Sequence, residues 1–367
     1  MGRQHVGAAE VLVDGAIVAG DLLIDDGFVV GVVPSGPGAR GLAVAGFIDV
    51  QVNGFGGVSF TTADRAGYAL AGSAMARHGV TSYLATIPTA APDAYAPALA
   101  EAADAIAAPP PGARPLGLHL EGPFLSPHRP GAHTVAHLRA ADADLLERLV
   151  AHAPVAMMTL APELPGADHL IRSLKNWGIV VSAGHTDADA ETANVAFDRG
   201  VTMVTHLWNA QRQITSRAPG LAGAALRRSD VFIGVIADLV HLSAETLWLS
   251  ATAAGDRTVA VTDAAAFAGL APGTYGDDDH QLTVTDAVRL ADGTLAGSAI
   301  GLDQAVRNLV AVGIDPIAAL SAVTVAPAAV LGRSDIGHLR PGARADVVVL
   351  SDDFRIERVL VDGRDAA

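Results

Sequence analysis

Short apolar runs recur along the middle of the chain, and six of them end in a polar residue of a kind that binds a metal ion or transfers a proton. These runs are GFIDVQVN (46–53), LGLHLEG (116–122), VVSAGHTD (180–187), MVTHLWN (203–209), FIGVIADLVH (232–241) and TVAVTD (258–263). They alternate with alanine-rich stretches of helical character, as at 64–79, 92–108, 140–151, 166–177 and 187–199. Alternating strand and helix patterns predict a parallel sheet.

Eight strands can be counted in this region, at 47–51, 82–86, 116–120, 155–160, 179–183, 202–205, 232–236 and 258–261. This number favours a closed (β/α)8 barrel of the TIM type over an open, doubly wound sheet. No glycine-rich dinucleotide loop follows the first strand, which also argues against the open sheet. In a barrel the C-terminal ends of the strands converge on one face, and the active sites of such enzymes lie there.

The two ends of the chain have a different pattern. Residues 5–33 alternate apolar and polar, with turn signals at Asp14-Gly15 and Asp26-Gly27, and residues 345–363 have the same character. Such patterns predict antiparallel hairpins, and chain termini often lie close together. We therefore predict an α/β protein in which residues 1–45 and 338–367 form one small β-sandwich domain and residues 46–337 form the barrel.

Composition and charge narrow the function classes. The 367 residues carry a net charge of −15, which argues against binding to nucleic acid or to anionic membranes. There is no cysteine, and therefore neither a disulfide nor a thiolate metal site is expected. No apolar run of about 18 residues is uninterrupted, and the N-terminus lacks a secretory pattern. We expect a cytoplasmic protein whose ligand is a small molecule.

Three of the strand ends carry Glu121, His185 and His206. Catalytic zinc commonly takes three protein ligands, and two histidines with one carboxylate are among the known sets. Any one of these residues could instead be a helix cap or a core histidine, but together they predict a hydrolytic metal centre. Asp263 follows the eighth strand, where it is a candidate proton-transfer group. A helix N-cap is the alternative for Asp263 from local sequence alone.

The motifs, in this order, resemble those of the amidohydrolase superfamily and, within it, the deacetylases of amino-sugar phosphates. The resemblance covers the chain from Gly46 to Gly363. The matching strings are GFIDVQVNG (46–54), GLHLEGPF (117–124), GAH (131–133), SAGHTDA (182–188), THLWNA (205–210), APGLAGAAL (218–226), VTDA (261–264) and LAGSAIGLDQAVRNLV (295–310). It implies that Glu121, His185 and His206 bind one divalent transition metal per subunit. Zinc is the first expectation, with iron, cobalt and manganese as alternatives.

The resemblance also implies roles for other residues. Asp263 would be the general base and then the general acid, and His133 would polarise the amide carbonyl together with the metal. Asn209, Ala210 and His241 would contact the substrate. Arg217 resembles an arginine that family members lend across a homodimer interface to the 6-phosphate, a task for which its bidentate fork is suited. An ordinary surface arginine is the alternative for Arg217.

The chain departs from the family pattern at three places. Many superfamily members have His-x-His at the end of the first strand to hold a second metal, whereas this chain has Gln51 and Asn53, a pair shared by the deacetylase branch that it resembles. Carboxamides are poor ligands for a transition metal, so we expect one metal only. The two amides could otherwise simply hydrogen-bond loop backbone. Pro130 stands where lysine is usual, and Arg212 lies in a segment that often carries aromatic residues or proline.

The resemblance implies hydrolysis of the N-acetyl group of N-acetylglucosamine 6-phosphate, giving glucosamine 6-phosphate and acetate. A second interpretation is a deacylase of a related substrate, such as the galactosamine 6-phosphate derivative or an unphosphorylated amino sugar. A third is a catalytically silent barrel that serves as a scaffold. The missing His-x-His pair favours this third interpretation, but the retention of Glu121, both histidines and Asp263 argues against it.

Overall fold

The parallel strands of the middle region form the predicted barrel. The structure is a computed structural model, and it describes residues 2–151, 153–276 and 281–366. The eight parallel strands pair in chain order, each with the next. They are Phe47–Val52, Val80–Pro88, Arg114–Glu121, Val155–Leu160, Val180–Ala183, Val201–Val204, Phe232–Ile236 and Thr258–Val261. All six residues of the first strand are buried, because a barrel strand is covered by helices on one side and by the barrel interior on the other.

Each barrel strand is followed by a helix that packs outside the barrel. These eight helices are Arg65–Ala76, Pro92–Ala107, Ala143–Ala151, Ala167–Asn176, Ala190–Arg199, Gly220–Arg227, Ala244–Ala254 and Leu302–Ala311. Pro316–Ser321 and Val325–Val330 are two further short helices, and Val135–His137 and Gly255–Arg257 are 3-10 turns. No helix in the described part of the chain is long and apolar enough to cross a membrane.

The first and last barrel strands meet directly after their C-terminal ends. The backbone N–H of Asp263 donates to the carbonyl of Gln51 at 2.9 Å, and the N–H of Asn53 donates to the carbonyl of Ala264 at the same distance. This seam closes the barrel, and it brings residues more than 200 positions apart to the same place.

Strands from both termini form two further sheets, as predicted for a small β domain. The six-stranded sheet contains Glu10–Val13, Ala16–Ala19, Leu42–Ala45, Val347–Leu350, Ile356–Val361 and Arg364–Asp365. The three-stranded sheet contains Gln4–His5, Asp21–Asp25 and Phe28–Val33. Leu22, Ile24 and Val29 from the smaller sheet share one hydrophobic cluster with residues of the larger sheet, as in a sandwich. The domain boundaries at 45/46 and 337/338 remain predictions.

One element was absent from the sequence-based expectation. After the eighth barrel strand the chain forms an antiparallel four-stranded sheet from Gly273–Tyr275, Leu282–Val284, Ala287–Leu290 and Leu295–Ser298. A bridge between Ala264 and Ser298 joins its last strand to the end of the barrel. The sheet therefore lies on the face where the C-terminal ends of the barrel strands converge. A small hairpin, Gly54–Phe55 with Val58–Ser59, follows the first barrel strand on the same face.

Candidate active site

Glu121, His185 and His206 lie together at the C-terminal end of the barrel. Nε2 of His185 is 3.0 Å from Nε2 of His206, and these two atoms are 3.3 and 3.1 Å from Oε1 of Glu121. Tetrahedral zinc with ligand bonds of 2.0–2.1 Å separates its ligand atoms by roughly 3.3 Å. All three residues are buried. The donor set and its spacing therefore fit a single divalent metal ion.

The backbone has an unusual conformation at three of the candidate site residues, each at the end of a barrel strand. His185, His206 and Asp263 all have positive φ, at 47°, 28° and 46°. Residues other than glycine rarely adopt this left-handed region, and such conformations cluster at functional sites, where the surrounding structure enforces them. At each of the three strand ends, the turn falls on the candidate functional residue itself. Sequence pattern gave no indication of these conformations.

One hydrogen bond orients the imidazole of His185. Its Nδ1 donates to the backbone carbonyl of Arg129 at 3.1 Å, which leaves the lone pair of Nε2 for a metal. Burial opposes the charged form of Glu121, but its interactions with the imidazoles of His185 and His206 hold its pKa well below the usual value. Glu121 is therefore an anion, as a metal ligand must be.

Asp263 accepts hydrogen bonds from the side-chain amides of Gln51 and Asn53. Nε2 of Gln51 donates to Oδ1 of Asp263 at 3.1 Å and also to Oε1 of Glu121 at 3.1 Å. Nδ2 of Asn53 donates to the same Oδ1 at 2.8 Å. The side-chain amides thus bind the two site carboxylates, contrary to the alternative that they bond only to loop backbone. Burial, with the nearby charge of Glu121, raises the pKa of Asp263, and a carboxylate of raised pKa is a better proton acceptor.

His133 is oriented as a hydrogen-bond donor toward the metal site. The backbone N–H of Thr89 donates to its Nδ1 at 3.3 Å, and therefore the proton of the neutral ring lies on Nε2. Burial and the neighbouring His185 lower the pKa of His133 to about 3, which keeps the ring neutral at pH 7. Nε2 is 3.7 Å from Oε2 of Glu121, beyond hydrogen-bond distance, so its N–H is available to a substrate carbonyl.

A cavity of about 470 Å³ opens above these groups, a size typical of small-molecule sites. Asn209, Ala210 and His241 line it together with the metal-site residues. Nδ1 of His241 lies 2.6 Å from Oδ2 of Asp238, which orients the ring. Three leucines of the four-stranded sheet form an apolar wall of the cavity: Leu282, Leu290 and Leu295.

Arg217 is the one predicted site residue outside this cavity. It is exposed in the loop that connects His206 to the helix Gly220–Arg227. It is not among the residues that line the cavity, which is compatible with its expected role across a subunit interface. The role of Arg217 across an interface stays a prediction.

Several residues of the site were missed in the sequence. Thr89 and Arg129 act through backbone groups, which carry no side-chain signature. Asp238 lies three residues before His241, and this Asp-x-x-His spacing was a usable signal. The apolar wall also had a signal, because residues 282–298 alternate apolar and polar around an Asp292-Gly293 turn.

Comparison with known proteins agrees with this geometry. The model of the amidohydrolase family matches residues 42–365. The chain belongs to the amidohydrolase family. Human N-acetylglucosamine-6-phosphate deacetylase is 39% identical over 344 residues, which cover 89% of this chain and 83% of the human protein. The N-acetylgalactosamine-6-phosphate deacetylase of Escherichia coli O157:H7 is 34% identical over 87% of this chain and 86% of that protein.

Among solved structures, the chain superposes on a mutant N-acetyl-D-glucosamine-6-phosphate deacetylase from Mycobacterium smegmatis in complex with N-acetyl-D-glucosamine-6-phosphate. The TM-score is 0.92 at 32% sequence identity, and the match covers 100% of this chain and 99% of the other. The TIM-barrel fold with an added β domain is therefore confirmed, and this amidohydrolase family member is a hydrolase.

Proposed function

We propose that the chain hydrolyses the acetamide of N-acetylglucosamine 6-phosphate to give glucosamine 6-phosphate and acetate. The observation that carries this proposal is the convergence of Glu121, His185, His206, Asp263 and the Nε2–H of His133 on one cavity. Relatives 38–39% identical over most of the chain have this activity. A metal held by one carboxylate and two imidazoles would also support hydrolysis of an amide.

The proposed reaction uses the metal site, Asp263 and His133. When bound, a divalent metal lowers the pKa of a coordinated water and polarises the amide carbonyl. Asp263 accepts a proton from the attacking water and later delivers it to the departing amine nitrogen. His133 donates its Nε2–H to the carbonyl oxygen as that oxygen gains negative charge. We propose zinc as the native metal, since two imidazoles and a carboxylate are among the ligand sets of catalytic zinc.

Recognition of the sugar phosphate is assigned to the rim of the cavity. Asn209 and the backbone of Ala210 would contact the sugar, and His241 the sugar or its phosphate. Arg217 of a second subunit would complete the phosphate site in a homodimer. The net charge of −15 makes such a local cation necessary, because the protein as a whole repels an anion. A charged sugar phosphate does not cross a bilayer unaided, and we therefore place the reaction in the cytoplasm.

The galactosamine derivative is the second candidate substrate, since one relative with that activity is 34% identical to this chain. The deciding experiment compares kcat/KM for N-acetylglucosamine 6-phosphate, N-acetylgalactosamine 6-phosphate and the two unphosphorylated sugars. We expect the glucosamine 6-phosphate derivative to be the best substrate. A higher kcat/KM for the galactosamine derivative would transfer the assignment to that sugar, and no acetate from any of the four would refute it.

A further inference from the structure

Asp187, two residues after the metal-site histidine His185, joins three loops of the active-site face. Its Oδ1 lies 2.7 Å from an Nη of Arg129 and accepts a 2.9 Å hydrogen bond from Nε of the same guanidinium. Its Oδ2 accepts a 2.5 Å bond from Arg212. Arg129 belongs to the loop after the third barrel strand, and Arg212 to the loop after the sixth. One carboxylate therefore connects both loops to the loop that carries His185.

The contact with Arg129 leads back to the metal site. The carbonyl of Arg129 accepts the Nδ1–H of His185, and the carbonyl of His185 accepts the N–H of Ser126 at 2.9 Å. The same loop continues to His133, whose N–H donates to the carbonyl of Pro130 at 3.0 Å. Holding the guanidinium of Arg129 thus holds the backbone oxygen that orients His185.

The contact with Arg212 leads instead to the substrate side of the cavity. The N–H of Arg212 donates to the carbonyl of Thr186 at 3.3 Å, and the N–H of Thr186 donates to the carbonyl of Ala210 at 3.2 Å. These backbone bonds join the segment with Asn209 and Ala210 to the loop of His185, and the guanidinium of Arg212 adds a side-chain link to Asp187 in that loop.

Asp187 is itself held from a fourth loop. Its backbone N–H donates to Oε1 of Glu163 at 2.6 Å, and the hydroxyl of Thr186 donates to Oε2 of the same carboxylate. Hydrogen bonds and charge from Arg212 and Arg129 lower the pKa of Asp187 to about 2. Its side chain is 25% exposed, and an isolated pair with that exposure would contribute little to stability. The importance of the network therefore lies in the positions in which it holds the loops, and not in the stability that it adds.

We propose that Asp187 is a positioning residue: through Arg129 it orients His185 for the metal, and through Arg212 it sets the position of the substrate segment Asn209–Ala210. Both arginines lie where the chain departs from the family pattern, since Arg129 precedes Pro130 and Arg212 is itself a departure. The proposal rests on the proposed function only in taking Glu121, His185 and His206 as the metal ligands.

The two arms of the network can be tested separately. Affinity for Co²⁺, measured by competition with a chelator, requires no substrate. Asp187→Ala and Arg129→Ala should lower it by about 10–100-fold, the usual effect of removing an outer partner of a metal ligand, and should alter the visible spectrum of bound Co²⁺. Arg212→Ala should leave Co²⁺ affinity within about twofold of the parent and raise KM by on the order of 5-fold or more, with little change in kcat.

Asp189→Asn is the matched control. It removes one negative charge from the same loop, and asparagine can replace the aspartate that caps the helix by accepting the N–H of Thr192. Co²⁺ affinity should be unchanged in this variant, and Arg129→Lys should recover part of the affinity lost in Arg129→Ala.

The proposal is overturned if Asp187→Ala binds Co²⁺ as tightly as Asp189→Asn does and gives the same spectrum. Circular dichroism of the metal-free variants shows whether each is folded. Should Asp187→Ala fail to fold, Arg129→Ala decides, because its side chain is 36% exposed and its removal leaves the backbone carbonyl in place. A parent protein that binds Co²⁺ but releases no acetate from any N-acetyl amino sugar would refute the proposed function without affecting this test.

Discussion

The side-chain amide of Asn53 donates a 2.8 Å hydrogen bond to Oδ1 of Asp263, and the amide of Gln51 bonds to the same oxygen at 3.1 Å. Oδ2 of Asp263 takes part in none of the hydrogen bonds found among the described residues, although Asp263 lines the cavity. One oxygen of the carboxylate is therefore anchored, and the other is left to exchange a proton. The two amides orient the proposed base at the strand end where many family members have a His-x-His pair.

Asp263→Asn should therefore lose activity while it keeps the metal. The Oδ1 of the new asparagine can still accept from Asn53 and Gln51, but an amide nitrogen then replaces Oδ2 and cannot take a proton from water. We expect kcat to fall by roughly 10²–10⁴-fold. Elemental analysis should show an unchanged metal content, since Asp263 is outside the proposed ligand set. Near-normal turnover would mean that another group is the base.

Metal content should be about one ion per chain, because amides cannot replace imidazoles as ligands for a transition metal. The double variant Gln51→His with Asn53→His restores the pair of histidines at the end of the first strand. We expect that variant to bind a second ion, whereas Gln51→Ala with Asn53→Ala, its control, should not. Two tightly held ions in the parent protein, measured by elemental analysis, would contradict the single-metal site.

Asp49 should make stability depend on pH. It is fully buried at the seam, where Oδ2 accepts from the hydroxyl of Thr262 at 2.5 Å, and burial raises its pKa to about 7 from 3.8. Between these values the unfolded chain releases the proton that the folded chain keeps. The free energy of unfolding therefore falls as pH rises between these two pKa values, by about 1.4 kcal/mol per pH unit. Below the lower value Asp49 is protonated in both states and costs the folded state nothing.

Asp49→Asn removes this dependence, because the amide stays neutral and can still bond to Thr262. In urea unfolding of metal-free protein, the parent should lose on the order of 4 kcal/mol relative to the variant between pH 4 and pH 8. Other groups titrate alike in both proteins and cancel in the difference. Parallel stability curves would show that folding leaves the pKa of Asp49 unshifted.

Arg217→Ala should weaken the binding of phosphorylated substrates and leave the binding of unphosphorylated ones unchanged. The lost charge-assisted contact is worth about 1.5–3 kcal/mol, or roughly 10–150-fold in affinity. If Arg217 acts across a dimer, mixing this variant with Asp263→Asn should restore some activity, because one site of the hybrid receives both intact residues. Full activity in a strict monomer, or an equal loss for both substrate types, would refute the shared site.

The barrel was predictable because its strands are buried on both sides and therefore appear as continuous apolar runs. All eight predicted strands exist, and their bounds differ from the observed ones by two residues or fewer. The ligand candidates were predictable for a related reason, since a barrel places the residue after each strand on one face. Chemistry-bearing residues in those positions, such as His185 and His206, are then brought together by the fold itself.

Loop-to-loop contacts could not be predicted in the same way. The contact of Asp187 with Arg129 and Arg212 depends on the paths of three loops, and no periodicity encodes those paths. The orientation of His133 depends on one backbone N–H of Thr89. The four-stranded sheet is a different case, because its alternating pattern was present in the sequence but was not assigned to strands.

The apolar wall of the cavity and the proposed metal ligands belong to different parts of the chain and can therefore change independently. Leu282, Leu290 and Leu295 belong to an excursion between the eighth barrel strand and its helix, whereas the proposed metal ligands lie at the C-terminal ends of barrel strands three, five and six. Substitutions in this excursion can reshape the cavity without displacing the residues of the metal site. Gene duplicates of this protein can therefore diverge in what they accept while they inherit the same reaction, and this sheet is where such divergence would accumulate.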